Sequence, residues 1–319
     1  MTTPSFSVVV PLFDKAAHVG ATLAAIAAQT VTDHEVIVVD DGSTDAGPSL
    51  VKAIARTDDR IKLVRQRNAG PGVARNRGIA TARASWVAFC DADDLWHPDH
   101  LAVLAETIAT CPDAAVVASG FARDAQDRLA AHPPGGPHVI DFFAEHHLIW
   151  TSAVAVRKDA LADGAFGAAW PGEDVELWIR LALRHRFAVH PARTALYVQN
   201  TGGAMDSAKS TAIMQQPVFV TIAAILADRA HADRHQAVAM FRNRLLGDYI
   251  RPSLFNGQTA LARAYVAALD DADGRVPPLY RVLARLPGPL VRSGARLYGR
   301  IRRQFAKKTF SSGVTGIEE

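Results

Sequence analysis

The fold class is decided by the stretch Glu35-Val-Ile-Val-Val-Asp-Asp-Gly-Ser-Thr-Asp45 and by the residues that follow it. Residues 35–39 form a short apolar run rich in Val and Ile, which is typical of a strand buried on both faces. A polar loop comes next, and then a stretch with helical character, Gly47–Ala55. This strand-loop-helix unit recurs along the first 120 residues. The sequence therefore predicts an α/β fold with a mostly parallel, Rossmann-like sheet flanked by helices.

The same pattern predicts further strands and helices. The strands are predicted over Ser7–Leu12, Ile61–Arg65, Trp86–Cys90 and Ala114–Ala118, and the helices over His18–Gln29, Pro71–Ala82, Asp99–Thr110 and Asp174–Arg186. From about residue 206 only helices are predicted, near 211–230, 233–250, 257–270 and 289–305. We therefore predict an α/β domain over residues 1–205 and an all-α C-terminal extension over 206–319.

The composition indicates a folded protein. Of its 319 residues, 49% are hydrophobic and 21% are charged, which excludes disordered and fibrous classes. Cys90 and Cys111 lack the spacing of a zinc site or a disulfide framework, so we expect two free thiols in a reducing compartment. The N-terminus shows no signal peptide, and no stretch reaches the roughly 18–20 apolar residues that span a bilayer. These features predict a cytoplasmic location.

Basic charge is concentrated at the C-terminal end. Residues 274–317 contain ten Lys or Arg and no acidic residue, whereas residues 1–273 contain 25 basic and 30 acidic residues. At helical spacing, residues 289–308 place Leu297, Ile301 and Phe305 on one face and arginines on the other. Such a helix is typical of a peripheral contact with an anionic membrane surface. The alternatives are packing of this apolar face on the acidic body and, less favoured, binding of nucleic acid, for which no recognised fold is visible.

Carboxylates follow several predicted strands at their carboxyl ends, where ligands bind to parallel sheets. Asp91-Ala-Asp-Asp94 comes directly after the strand that ends at Cys90. Three carboxylates within four residues repel one another, and a divalent cation such as Mg²⁺ or Mn²⁺ relieves the repulsion because hard cations prefer oxygen ligands. The alternative is a solvated acidic turn that caps the next helix.

Two further acidic segments carry chemistry in this interpretation. Glu173 and Asp174 lie at a predicted helix start, where either could accept a proton from a nucleophilic hydroxyl. Acidic residues also favour a first helical turn for dipole reasons alone. In the loop after the second strand, Asp40 offers an acceptor for a nucleotide, and Ser43 or Thr44 could equally well cap the next helix.

Taken in order, these segments resemble the family 2 glycosyltransferases of the GT-A fold. The resemblance rests on Ser7-Val-Val-Val-Pro-Leu-Phe-Asp14, Val38-Val-Asp-Asp-Gly-Ser-Thr-Asp45, Phe89-Cys-Asp-Ala-Asp-Asp94 and Gly172-Glu-Asp-Val-Glu-Leu-Trp178. Asn68-Ala-Gly70 and Ala74-Arg-Asn-Arg-Gly78 resemble the family's intervening segment. The match covers about residues 5–200, and its specificity comes from the ordered set.

The resemblance implies a role for each matching residue. Pro11, Phe13, Asp40, Asn68 and Asp91 would bind the nucleotide sugar, Asp93 of the Asp-x-Asp motif would bind Mn²⁺ or Mg²⁺, and Asp174 would be the general base. Trp150, Glu173 and His147 would lie in the acceptor region, although paired histidines such as His146-His147 are more often surface or core residues than ligands.

The function implied is inverting transfer of a sugar from a nucleoside diphosphate, UDP being the commonest expectation, to a hydroxyl of a saccharide or lipid-linked saccharide. Cell-surface polysaccharide synthesis would be the setting. One alternative is a nucleotidyltransferase acting on sugar phosphates, but the loop Pro11-Leu-Phe-Asp-Lys15 lacks the glycine-rich character expected for holding a triphosphate. The other is a non-catalytic carbohydrate-binding protein, which would tolerate loss of Asp93 or Asp174, and both are present.

Overall fold

The computed structural model describes residues 3–123, 135–162, 165–168, 172–198, 216–255, 258–269, 278–291 and 293. The strands are β1 (Phe6–Leu12), β2 (His34–Asp40), β3 (Ile61–Arg65), β4 (Trp86–Phe89), β5 (Leu95–Trp96), β6 (Ala114–Ala122), β7 (His138–Ile140), β8 (Val154–Arg157) and β9 (Arg186–Leu196). The α-helices are α1 (Val19–Ala27), α2 (Gly47–Ile54), α3 (Pro71–Thr81), α4 (His100–Thr110), α5 (Phe142–Glu145), α6 (Glu173–Ala182), α7 (Pro217–Ala227), α8 (His235–Phe255), α9 (Thr259–Ala267) and α10 (Pro278–Leu283). The predicted alternation of strands and helices is confirmed.

All nine described strands belong to one sheet, in the order β3-β2-β1-β4-β8-β6-β9-β5, with β7 also paired to β9. Strands β1 to β4 pair in parallel, and β8 is antiparallel to both of its neighbours, β4 and β6. Since β9 is parallel to β6, the strands β1, β2, β3, β4, β6 and β9 all point the same way. Their carboxyl ends meet at one edge of the sheet, and β8 starts at that edge.

The centre of the sheet is buried on both faces. Val8, Val9 and Val10 of β1 have no exposed surface, as expected for a strand covered by helices on both sides. Helix α3 lies very close to β1 at Gly78, where an added Cβ would come within 2.3 Å of Val9 Cγ1. Only glycine permits this approach, so α3 is held tightly against the strand whose end carries the predicted nucleotide loop.

The second half of the sheet differs from the sequence prediction. The predicted helix Asp174–Arg186 ends at Ala182, and residues from Arg186 onward form the eleven-residue strand β9. Strand β9 pairs with β6 through a register shift between Ser119 and Gly120. Pro191 lies within β9 and cannot donate to a ladder, so the strand lacks the regular pattern that marks a strand in a sequence. The short strands β5 and β7 were not predicted for a related reason, since their pairing with β9 is set by the fold.

The chain divides into two compact units, Met1–Ala224 and Ile225–Glu319. The described part of the second unit is helical, as predicted, although α10 was not among the predicted helices. The proposed boundary between residues 205 and 206 lies in 199–215, outside the described residues, as does nearly all of the predicted basic helix 289–308. Within the described ranges, no helix has the length and apolar character needed to cross a membrane. Cys90 and Cys111 are both free thiols.

Candidate active site

The loops that follow β1 and β2 are fastened to each other. Asp14, the one described non-glycine residue with a positive φ (48°), accepts hydrogen bonds from Thr44 N at 2.7 Å and Asp45 N at 3.2 Å. In return, Asp14 N donates to Ser43 Oγ at 3.1 Å. Helix α2 starts later, with Ala46 as its N-cap residue. Ser43 and Thr44 therefore join the two loops and do not cap α2.

Asp40 lies beneath this loop pair with no exposed surface. Its Oδ2 accepts from Arg65 Nε at 2.6 Å, and its Oδ1 accepts from Ser43 N at 2.8 Å. A base edge cannot reach a side chain without exposed surface unless Arg65 moves. In this structure Asp40 holds the loop together, and the prediction that it binds the nucleotide sugar stays a prediction.

The neighbouring Asp41 is also buried, and it organises the loop after β3. Its Oδ1 accepts from Ala69 N at 2.9 Å, and its Oδ2 accepts from Gly70 N at 2.9 Å. Gly70 has a φ of 92° and directly precedes α3. Asp41 thus fixes the loop that contains Asn68, whose side chain is exposed at the sheet edge.

Pro11 and Phe13, two further predicted nucleotide contacts, flank the end of β1. Pro11 is half-buried within the strand, whereas the Phe13 side chain is 44% exposed just beyond it. The ring stands at the edge where the parallel strands end, which is where ligands bind to such sheets. Its position is compatible with stacking on a planar ligand.

The three carboxylates after β4 point to different partners. Asp91 Oδ1 accepts from Arg75 Nη2 at 2.7 Å, and Asp93 Oδ2 pairs with Lys15 Nζ at 2.6 Å. Asp94 is 1% exposed and accepts from Trp150 Nε1 at 3.3 Å. Burial, followed by the negative charge of Asp91, raises the pKa of Asp94 to about 7. The expected repulsion is thus relieved by two cationic side chains and by a carboxyl that ionises reluctantly.

Asp93 is the carboxylate of this loop that the resemblance assigns to a divalent cation, and this assignment stays a prediction. In the part of the chain that the structure describes, no group of three or more His, Cys, Asp or Glu side chains converges on a point that could hold a metal. Mg²⁺ and similar ions, however, are commonly held by one or two carboxylates together with substrate phosphates. Asp93 is 16% exposed and already holds a cation, the Lys15 ammonium. This arrangement fits a metal site that is completed by a diphosphate.

Helix α6 brings the second acidic segment to the same edge. Gly172, with a φ of 95°, turns the chain immediately before the helix. Glu173 is 4% exposed and accepts from Arg75 Nη1 at 2.9 Å, so Arg75 bridges Glu173 and Asp91. Burial and the charge of Asp174 raise the pKa of Glu173, while Arg75 opposes the rise. The structure therefore joins, through one guanidinium, two segments that are about 80 residues apart in the sequence.

Asp174 is only partly buried, and its side chain accepts two hydrogen bonds from described residues. Its Oδ2 accepts from Thr151 Oγ1 at 2.9 Å, and its Oδ1 accepts from the helix amide Val175 N at 2.7 Å. A partly exposed carboxylate held in this way retains lone pairs for a proton. This placement is compatible with a general base, and the assignment of that role to Asp174 stays a prediction.

Three consecutive residues in the turn just before β8 contact Asp94, Asp174 and Asp91, which lie where the parallel strands end and which we call the acidic edge. Trp150 donates to Asp94, Thr151 donates to Asp174, and Ser152 Oγ accepts from Asp91 N at 3.0 Å. These contacts follow from the antiparallel direction of β8, which places its first residues beside the ends of the parallel strands. Sequence reasoning identified Trp150 but missed Thr151 and Ser152.

Trp150 adjoins a cavity of about 330 Å³. The centroid of its ring lies 4.5 Å from that of Tyr197 and 5.8 Å from that of Phe121. Phe121 lines the cavity. His147, the third residue predicted for the acceptor region, lines the same cavity, and Glu173 does not. Glu173 instead pairs with Arg75, and of these three residues His147 alone lines the cavity.

Lys15 and Arg75 were also missed as site residues. Arg75 occurs in Ala74-Arg-Asn-Arg-Gly78, which the sequence offered only as a resemblance. Its position on α3 could have identified it, because Arg75 shares the buried face of the helix with Gly72, Ala74, Gly78 and Ile79. An arginine on a face of small and apolar residues needs carboxylate partners. Lys15 gave no comparable signal.

Comparisons with known proteins show similarity to glycosyltransferases. The sequence model of the family described as Glycosyl transferase family 2 matches residues 7–161. The Bacillus subtilis protein EpsH, whose name describes it as a putative glycosyltransferase, is 34% identical over 127 residues, which are 40% of this chain and 36% of EpsH. The succinoglycan biosynthesis protein ExoO of Rhizobium meliloti is 43% identical over 99 residues, 31% of this chain and 28% of ExoO. The matches thus span about a third of the length of these relatives.

Solved structures show the same fold. TarS residues 1–349 of S. aureus, solved in complex with UDP-GlcNAc, superimposes with a TM-score of 0.67 at 22% identity, covering 97% of this chain and 92% of that one. The mannosyltransferase PcManGT of Pyrobaculum calidifontis, solved with GDP-Man and Mn²⁺, gives a TM-score of 0.51 at 18% identity, covering 89% of this chain and 86% of that one. At these identities the likeness establishes the fold.

Proposed function

Because residues 7–161 belong to glycosyltransferase family 2 and the fold is GT-A, we propose that this chain is an inverting glycosyltransferase. It would move a sugar from a nucleoside diphosphate, UDP in the first instance, to a hydroxyl of a saccharide or lipid-linked saccharide. The observation that carries the proposal is the link that Arg75 makes between the loop of Asp93 and the start of helix α6, which carries Asp174. Asp93 is paired with the Lys15 ammonium, and Asp174 is partly exposed.

The donor is proposed from the site and from its relatives. Phe13 offers an exposed ring for the base, and Asn68 an exposed amide in the loop after β3. TarS is known with UDP-GlcNAc, and PcManGT with GDP-Man and Mn²⁺. Asp91 would contact the ribose or diphosphate with the oxygen that Arg75 leaves available. ExoO is a succinoglycan biosynthesis protein, which supports polysaccharide synthesis as the setting.

The chain's own residues would divide the reaction between them. A divalent ion held by Asp93 supplies positive charge to the leaving diphosphate when bound. Lys15, already beside Asp93, is placed to add a second positive charge near the phosphates. Asp174 would take the proton from the acceptor hydroxyl as that oxygen attacks the anomeric carbon from the side opposite the leaving group, which inverts the configuration. Thr151 would hold Asp174 in place through its 2.9 Å hydrogen bond.

The two alternatives make different demands on the same residues. A nucleotidyltransferase would release diphosphate from a nucleoside triphosphate and would need no base at Asp174. A non-catalytic carbohydrate-binding protein would need neither Asp93 nor Asp174. Hydrolysis of a nucleotide sugar that depends on both carboxylates therefore separates the proposal from both alternatives.

The experiment that tests the donor site is a thermal-shift screen of UDP, GDP, CDP and their sugars with Mn²⁺. A ligand at 100 times its dissociation constant stabilises the fold by about 2.7 kcal/mol, which raises the Tm of a domain of this size by roughly 5–10 °C. We expect UDP to give such a shift with wild type, EDTA to remove it, and Asp93→Ala to lack it.

The matched control is Asp59→Ala, which removes an exposed carboxylate on the loop before β3 and should keep the full shift. A full, EDTA-sensitive shift in Asp93→Ala would contradict the assignment of the metal ligand. No shift with any nucleotide in wild type would contradict the proposed function.

We also propose that the chain acts at the cytoplasmic face of a membrane through its basic C-terminal segment. Nearly all of the predicted helix lies outside the described residues, but the described residues before it and at its start expose apolar side chains at four-residue intervals. Val282 is 56%, Leu286 39% and Leu290 62% exposed, and Arg281 and Arg285 lie among them in sequence. Exposed apolar groups beside arginines are the composition that binds an anionic lipid surface.

A further inference from the structure

Arg75 is the most deeply buried cation at the site. Its side chain is 5% exposed, and its two terminal nitrogens donate to different carboxylates, Asp91 at 2.7 Å and Glu173 at 2.9 Å. The guanidinium also lies over the Phe166 ring, 5.2 Å from the ring centroid. Among the described residues, its buried Nε has no hydrogen-bond partner. The orientation of Arg75 is therefore set by the two carboxylates and the ring.

Helix α3 holds the segment before α6 at two further points. Asn76, the next residue, donates from Nδ2 to Phe166 O at 2.7 Å and accepts at Oδ1 from Phe166 N at 2.9 Å. At Gly72, an added Cβ would come within 2.3 Å of Gly167 O and 3.1 Å of Glu173 Cγ. Because α3 also packs against β1 at Gly78, a single rigid helix contacts both the strand bearing the nucleotide loop and the segment leading to Asp174.

We infer that Arg75 is a positioning residue that fixes the separation between the donor-side carboxylate Asp91 and the start of helix α6, which carries the base Asp174. The inference rests on the proposed function and adds a residue that does not itself touch substrate. Arg75 acts through Glu173, the residue adjacent to Asp174, so a shift of the α6 start moves the base relative to the anomeric carbon. A displacement of about 1 Å can cost roughly 100-fold in rate.

The geometry requires arginine in particular. A guanidinium presents parallel donors in a rigid fork and can hold two carboxylates at a fixed separation, whereas a lysine ammonium is a single point charge on a flexible stem. Lysine at position 75 would keep the positive charge and remain able to pair with Asp91 or Glu173. It would lose the simultaneous bridge, so Arg75→Lys separates positioning from charge compensation.

The test compares Arg75→Lys with Arg77→Lys, the same substitution at an exposed arginine two residues along α3. Hydrolysis of the nucleotide sugar found in the screen, starting with UDP-N-acetylglucosamine, is measured well below the unfolding transition, after circular dichroism shows both variants folded. We expect kcat for Arg75→Lys to fall roughly 10–100-fold, and Arg77→Lys to match wild type. The deficit should persist on further cooling, which a loss of stability alone would not produce.

Wild-type kcat in folded Arg75→Lys would overturn the inference and leave the proposed function intact. Absence of hydrolysis and of nucleotide binding in wild type would instead overturn the proposed function. If Arg75→Lys does not fold, Arg75→Met/Glu173→Gln removes one charge of each sign and is compared with Glu173→Gln alone, in which the introduced amide oxygen can still accept from Arg75. The inference requires the double variant to lose at least roughly tenfold more kcat than the single variant, and equal kcat values overturn it.

Discussion

The carboxylates at the acidic edge share a charge and differ in their partners. Asp40 and Asp41 are buried and hold backbone amides, Asp91 is tied to Arg75, and Asp94 is buried against Trp150. Asp93 pairs with a lysine, whose stem is flexible, and Asp174 accepts from a hydroxyl. The first group is suited to holding the loops, and the last two are suited to exchanging partners with a metal ion or a proton.

The substitution Asp174→Asn tests whether this side chain is the general base. Asparagine keeps the size and can still accept from Thr151, but it cannot take the proton of an attacking hydroxyl. We expect kcat for donor hydrolysis to fall by roughly 10²–10⁴-fold while nucleoside diphosphate affinity, measured by calorimetry with Mn²⁺, stays close to wild type.

Asp59→Asn is the control for Asp174→Asn, because it makes the same chemical change at an exposed site away from the sheet edge. Wild-type turnover in Asp174→Asn would assign the base elsewhere. A parallel loss of nucleotide binding would place Asp174 in the donor site.

At the scale of elements, the decisive feature is the direction of β8. An antiparallel strand between β4 and β6 starts where its neighbours end, so Trp150, Thr151 and Ser152 arrive at the acidic edge. Helix α3 has the complementary role, because it packs on β1 through Gly78 and carries Arg75 on the same buried face.

Gly78→Ala tests the packing of α3 on β1. The new Cβ would lie 2.3 Å from Val9 Cγ1 in the fully buried core of the sheet, so helix or strand must shift. We expect a loss of about 1–3 kcal/mol in the free energy of unfolding, measured by urea denaturation.

Gly247→Ala is the matched control for Gly78→Ala. Gly247 lies inside α8 with no described atom within 4 Å of an added Cβ, so the same change should stabilise by roughly 0.5–1 kcal/mol through helix propensity alone. Equal stabilisation by both substitutions would show that the close approach of α3 to β1 is not present in solution.

At the scale of the whole molecule, the chain consists of two compact units with different compositions. The first contains the sheet and the acidic edge, and the second is helical in its described part and contains the basic C-terminal segment. Catalytic and membrane-binding properties are therefore expected to be separable.

Truncation after Ser293 tests this separation. The cut keeps Val291, which is buried at 5% exposure, and removes residues 294–319 with six of the basic residues. We expect sedimentation with vesicles of phosphatidylglycerol and phosphatidylcholine to be lost and donor hydrolysis to be retained, because each basic residue near an anionic surface contributes about 1 kcal/mol.

Vesicles of phosphatidylcholine alone are the control, and high salt should weaken the binding of the full chain by screening it. Undiminished sedimentation of the truncated protein with anionic vesicles would show that the tail is not the membrane contact. A loss of hydrolysis would show that the tail packs on the enzyme body.

The parallel strands of the first half of the sheet and the acidic segments that follow them could be predicted from local sequence alone. Strands such as Ile61–Arg65 could be predicted to the residue, because a strand buried within a parallel sheet is short and rich in apolar residues, and local periodicity records that requirement. The acidic segments that contain Asp93 and Asp174 could be predicted as well, because each is a short motif next to a predicted strand or helix.

The tertiary structure decided how these segments meet. The direction of β8, the length of β9 and the bridge from Arg75 to Asp91 and Glu173 depend on contacts between residues far apart in the chain. Asp40 shows where prediction from the sequence ends. An aspartate in this loop suits a ligand contact as well as a structural hydrogen bond, and only the structure shows that it is buried against Arg65. The hydrogen-bond and ion-pair partners of a side chain depend on which residues the fold brings near it, and its chemical type alone does not specify them.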